Sequence, residues 1–124
     1  MDHSPAFLKL VNDERLFVKE ITVAEARARL AANPAAVLLD VREDHEWQQG
    51  HAVEAQHLGK GIFERDLEKR FPNPDTEILM YCGGGYRSVL TAAAARRMGY
   101  WNCHSIIGGY KAMLAAQWPM TADR

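Results

Sequence analysis

Two stretches of the chain are apolar with almost no interruption, residues 36–39 (Ala-Val-Leu-Leu) and residues 77–81 (Glu-Ile-Leu-Met-Tyr). Runs of that length predict strands covered on both faces, as parallel strands are. Weaker strand signals lie at 17–21, where Phe17, Val18 and Ile21 recur, at 102–107, and briefly at 52–53. Between them the pattern turns helical, with start and stop residues in the expected places. Ser4 and Pro5 precede apolar Phe7, Leu8, Leu10 and Val11, the N-cap and first-turn proline of a helix. Thr22 and Glu25 have the spacing of a capping box and open a helix over 23–32, which ends at Asn33-Pro34. Short helices follow over 43–49, closed by Gly50, and over 61–70, stopped before Pro72 and Pro74. A helix over 87–98 ends at Gly99, and Gly108-Gly109 introduces the last, to about 117. Strands alternating with helices on short connections predict an α/β fold, a central, mainly parallel sheet flanked by helices on both faces. Residues 1–16 are expected to form an N-terminal helical extension and residues 17–124 a single domain.

Composition narrows the function classes. Hydrophobic residues make up 48% and charged residues 25% of 124 positions, the balance of a folded domain with one core. The formal net charge of -1 gives no broad positive field, so nucleic acid is not an expected partner. The longest apolar runs fall far short of the ~20 residues that span a bilayer. Asp2 and His3 open a segment without the basic start of a secretory signal, so no membrane association and a cytoplasmic location are expected. The mixed charges of residues 64–70 lie three or four apart, as on a solvated helix face.

Two cysteines, Cys82 and Cys103, are too few for a disulfide framework, and no Cys and His set has metal-ligand spacing. Neither a metal nor an organic cofactor is expected. Cys82 falls at the carboxyl end of the strand over 77–81, where binding sites of open α/β sheets form. Gly83, Gly84 and Gly85 follow it, then Tyr86, Arg87 and Ser88 at the start of a helix. Such a loop bends tightly and turns backbone N–H groups toward the sulfur, while the helix dipole and Arg87 add positive charge. All of these favour thiolate over thiol. The same cradle suits the terminal sulfur of a persulfide, which is also anionic. A bare glycine triplet also marks turns without function, and it is the combination with Cys82 and Arg87 that points to chemistry.

The segment from Cys82 through Gly85 to Arg87 and Ser88 resembles the active-site loop of the rhodanese superfamily, which reads Cys, two variable residues, Gly, a variable residue, Arg and Ser. Leu39-Asp40-Val41-Arg42 with Glu46 and Trp47, then Gly50-His51, is similar to the family's Asp-Val-Arg stretch leading to Gly-His. Gly108-Gly109-Tyr110 and the helix to Trp118-Pro119 resemble its closing segment. The resemblance implies a rhodanese-like fold and sulfur transfer from a donor such as thiosulfate to cyanide, a thiol or an acceptor protein, through a persulfide on Cys82. Cys82 and Arg87 would be catalytic, with Gly83, Gly84, Gly85, Tyr86 and Ser88 binding substrate. Asp40, Arg42 and Glu46 would brace the site. Four residues separate Cys82 from Arg87, the spacing of the sulfurtransferases, whereas related cell-cycle phosphatases have one more. A small phosphatase and a noncatalytic sulfur carrier or protein-interaction module are the competing readings. The pattern departs at Glu54, His57 and Gly59, all outside the loop.

Other candidates have plainer explanations. His51 follows a helix-ending glycine and reads as a packing and capping residue. Cys103 falls in a strand, where a buried inert thiol is expected, although it could resolve a Cys82 persulfide as a disulfide if the fold brought the two together. Trp47, Phe63, Tyr86 and Trp118 are candidates for an apolar rim, and only Tyr86 lies in the loop itself.

Overall fold

A computed structural model describes residues 3–122. Helix α1 (Pro5–Arg15) begins at Ser4, whose side chain accepts from the Phe7 amide. The chain continues through β1 (Lys19–Ile21), α2 (Val23–Ala32), β2 (Val37–Asp40), α3 (Asp44–Gln49), β3 (His51–Ala52) and β4 (Gln56–His57). A 3-10 turn (Lys60–Ile62) leads into α4 (Phe63–Arg70), β5 (Ile78–Tyr81), α5 (Arg87–Arg97), β6 (Cys103–Ile106), α6 (Gly109–Ala115) and β7 (Met120–Thr121). The capping box of Thr22 and Glu25 forms with both of its hydrogen bonds.

Five strands make one parallel sheet in the order β1-β6-β5-β2-β4, and β3 pairs antiparallel with β7. The two apolar runs are its centre, side by side with Leu39 opposite Met80 and Asp40 opposite Tyr81. Alternate residues serve opposite faces. Leu39, Ile78 and Met80 pack with Phe63, Leu67 and Ala92 from α4 and α5, whereas Leu38, Leu79 and Tyr81 pack with Ala26 and Met113 from α2 and α6. Full burial of such side chains is worth roughly 1.5–3 kcal/mol each, so the two central strands anchor both layers. After β2 the chain leaves toward β4, and after β5 it leaves toward β6, on the other side. That reversal opens a crevice at the carboxyl ends of β2 and β5.

Several boundaries differ from the sequence expectation, each for a local reason. The first strand starts at Lys19 because the amides of Phe17 and Val18 bond back to the carbonyls of Glu14 and Arg15, extending the turn that ends α1. The brief strand expected at 52–53 is His51–Ala52. Strands β4 and β7 have two residues each, too few for a period to register in the sequence. Among the described residues no helix is long and apolar enough to cross a membrane.

Candidate active site

Strand β5 delivers Cys82 to the crevice, and the residues after it wrap the sulfur. The amides of Gly85 and Ser88 donate to Cys82 Sγ at 3.2 and 3.4 Å. The Ser88 hydroxyl lies 3.5 Å from the sulfur and 2.7 Å from the hydroxyl of Ser105 on β6. Cys82 is only 1% exposed, and it lines an open cavity of about 1200 Å³. Gly83, Gly84, Tyr86 and Arg87 border that cavity.

The loop is locked from behind by α6. The Tyr110 amide donates to the Cys82 carbonyl at 2.7 Å and the Lys111 amide to the Gly83 carbonyl at 3.1 Å. Two glycines make this approach possible. Gly85 has φ +93°, and a Cβ there would lie 2.9 Å from the Gly108 amide nitrogen. Gly109 has φ +53°, and a Cβ there would overlap the Cys82 carbonyl oxygen. Both backbone conformations are costly for any residue with a side chain.

Arg87 folds back over the loop, its Nη2 3.0 Å from where a Cβ on Gly83 would sit, but it is not a free cation. Its guanidinium forms a two-pronged pair with Glu46 on α3, at 2.6 and 3.0 Å. Fork-to-fork pairing of this kind is the strongest geometry open to arginine and carboxylate. Glu46, read from the sequence as structural support, therefore lies in the cavity wall and neutralises the loop's cation. It also accepts the Glu43 amide at 3.1 Å, which ties α3 to the pair. Nothing in the local sequence links Glu46 to Arg87; the two are 41 positions apart.

Asp40 and Arg42 are buried beside the crevice. Arg42 reaches Asp40 through Nε at 3.1 Å and Nη2 at 2.7 Å, donates to the Gly50 carbonyl at 2.5 Å, and sits 4.1 Å over the Tyr110 ring. Neither lines the cavity. They join the end of β2 to the end of α3 and the start of α6, three segments that frame the loop. His51 places Nδ1 2.8 Å from the Trp47 carbonyl oxygen and stacks on the Trp47 ring. Of the four rim candidates, Phe63 is fully buried in the core, Trp118 is 5% exposed, Trp47 stacks on histidines, and Tyr86 alone borders the cavity. The cavity also takes residues the sequence did not single out, among them His3, Phe7, His45 and Lys111.

Cys103 is not a resolving partner for Cys82. It stands opposite Ile78, four residues before Cys82 along β5, roughly 13 Å away at the usual strand rise. A disulfide needs Cα atoms within about 7 Å. Burial pushes the Cys103 thiol up to about 12.

The Glu46 pair sets a pH dependence. The hydrogen bonds from Arg87 outweigh desolvation and hold the Glu46 carboxyl at about 2, against its ordinary 4.5. Because the folded-state value is depressed, the stabilisation is complete above pH 4.5 and is lost as pH falls toward 2. Urea midpoints measured across that window should fall more steeply for the natural protein than for Glu46→Gln.

A strand-end cysteine whose sulfur accepts from amides at a helix start defines a cysteine-centred α/β domain. The chain belongs to the family described as Rhodanese-like domain, which matches residues 22–116. It is 32% identical over 90 residues to a tRNA uridine(34) hydroxylase of Sodalis glossinidius, covering 69% of this chain and 26% of that protein. It is similar to a Rhodopseudomonas palustris protein described as of unknown function and a possible tyrosine phosphatase, with TM-score 0.81, 24% identity, and 98% and 99% of the two chains covered. A human single-domain sulfurtransferase has TM-score 0.70 and 24% identity, with 79% and 96% covered.

Proposed function

We propose that this rhodanese-like domain is a sulfurtransferase that carries sulfane sulfur on Cys82. The observation behind this reading is the pair of amides from Gly85 and Ser88 aimed at the sulfur of a cysteine that lines a cavity. In the first half-reaction the Cys82 thiolate attacks the outer sulfur of a donor. With thiosulfate, the S–S bond of the donor breaks, sulfite leaves with the electron pair, and a persulfide anion remains on Cys82. An acceptor such as cyanide or a thiol then attacks the terminal sulfur, and the Cys82 thiolate is the leaving group. Main-chain N–H groups of the loop from Gly83 to Ser88 stabilise the anion in both steps. Arg87 and Glu46 fix the loop's mouth, and Asp40 and Arg42 brace it from behind. No metal or organic cofactor takes part. The acceptor is a small thiophile or an acceptor protein, in keeping with a net charge of -1.

Intact-mass measurement after incubation with thiosulfate tests this directly, together with a thiocyanate assay in cyanide. A gain of one sulfur atom and release of thiocyanate are expected. Loading without thiocyanate would mark a passive carrier, and neither result would mark an interaction module. Phosphomonoester hydrolysis is the competing reaction, given the relative described as a possible tyrosine phosphatase. Against it, four residues between Cys82 and Arg87 make a ring suited to one sulfur atom, and the Arg87 guanidinium is already occupied by Glu46. Turnover of a nitrophenyl phosphate would favour the phosphatase.

The same pair predicts how the donor is handled. Glu46→Gln keeps an acceptor for the Glu43 amide, since glutamine also serves in a capping box. It removes the negative charge that cancels Arg87. Loading from dianionic thiosulfate should quicken by about five- to tenfold, the effect of one unscreened charge a few ångströms from the reacting ion. Stopped-flow or quenched mass measurement at low salt would read this, and the gain should shrink as salt rises.

A further inference from the structure

Helix α1 lies outside the residues matched by the family, 22–116, yet it forms one side of the Cys82 cavity. His3 and Phe7 border the cavity beside Tyr86. The His3 ring is 4.4 Å from the Tyr86 ring and 5.3 Å from the Phe7 ring, and the Arg15 guanidinium lies 5.4 Å from the centre of the Tyr86 ring. Tyr86 is thus flanked by Arg15 of α1 and by His3 just before that helix.

The helix is fixed in place. Val11 is fully buried, Glu14 accepts from Arg97 on α5 at 2.8 and 3.1 Å, and Arg15 pairs with Glu20 at 3.4 Å. A wall carried on such an element keeps its shape when a ligand arrives. The remaining lining does not suit a small dianion. Glu43 and Glu46 offset Lys111 and Arg87, and Arg87 is spent on Glu46, so the Lys, Arg and Glu side chains of the lining carry no net positive charge to draw in a dianion. A volume of about 1200 Å³ is also far beyond what a few inorganic atoms fill, and lies somewhat above the ~300–1,000 Å³ of cavities that hold organic ligands.

We propose that Phe7 and His3, together with Tyr86, are the specificity-determining wall of this site, and that the wall takes an organic thiol or its persulfide whose apolar body rests on these rings. The proposal rests on Cys82 being the sulfur carrier. A bare inorganic ion reaches the cradle without touching the wall, whereas an organic carrier gains contact area that small ions cannot.

The test uses two alkylating probes with the same reactive end, 2-bromoacetamide and N-benzyl-2-bromoacetamide, so that only the benzyl group reports on the wall. Their rates at Cys82, located by peptide mass mapping, are compared in the natural protein, Phe7→Ala and Phe7→Leu. The ratio of benzyl to parent rate should fall about tenfold in Phe7→Ala, and Phe7→Leu should keep most of it because an apolar surface remains. A ratio unchanged or raised in Phe7→Ala, or an equal loss in both variants, overturns the wall. Alkylation needs no sulfur transfer. A failure of thiosulfate loading would therefore strike the proposed reaction, while this ratio judges the wall separately.

Discussion

Cys82→Ser should give a folded protein that takes up no sulfur. A hydroxyl can accept the amides of Gly85 and Ser88 that now point at the sulfur, so the loop keeps its hydrogen bonds and the core loses little volume. A serine hydroxyl stays protonated at neutral pH, the hydrogen bonds at this position among the described residues involve the Gly85 and Ser88 amides and the Ser88 hydroxyl rather than a base, and oxygen does not form the persulfide. Thiocyanate release should drop by at least about 10³-fold, the scale on which loss of a covalent nucleophile is felt. Cys103 cannot stand in, being buried, raised to about 12 and held far along the sheet. Intact mass and thermal melting on one sample would check both halves of the expectation. Retained loading with an unchanged melt would place the carrier elsewhere.

The second large effect is on the fold. Gly109→Ala should cost about 3 kcal/mol or more and abolish loading with it. The added methyl would meet the Cys82 carbonyl oxygen and lie 3.0 Å from the Gly85 nitrogen, both of them backbone atoms that cannot swing aside. To make room, α6 must retreat, which stretches the bonds from Tyr110 and Lys111 that hold the loop. Gly61→Ala is the control, since nothing lies within 4 Å of a Cβ there. Its stability should stay within about 0.5 kcal/mol of the natural protein. Urea denaturation of the three proteins decides the matter, and equal midpoints for both variants would refute the clash.

Residues 36–39 and 77–81 announced the centre of the sheet because a strand covered on both faces must be apolar on both. The Ser4 and Thr22 helix starts were equally plain, since capping uses neighbours three residues apart. Sheet order was not legible in the residues themselves: nothing in Lys19–Ile21 says that it pairs with Cys103–Ile106 at the far end of the chain. The site divides in the same way. The cysteine, its glycines and the arginine are contiguous, so their chemistry could be read directly. The partner that claims the arginine comes from α3, and the wall beside Tyr86 comes from α1, more than 70 positions earlier. Contacts of that separation leave no local periodicity. Ser105 on β6, whose hydroxyl meets that of Ser88, is another such distant partner.

The dependence of the cysteine loop on α6 also has a consequence for biosynthesis. Tyr110 and Lys111 are made well after Cys82, and β1 at the sheet edge waits for β6 as its only neighbour in the sheet. While the polypeptide is still emerging from the ribosome, the loop therefore lacks the two bonds from α6 that hold its backbone. On the proposed function, sulfur loading would follow the docking of α6, and a chain ended before Tyr110 would take up none.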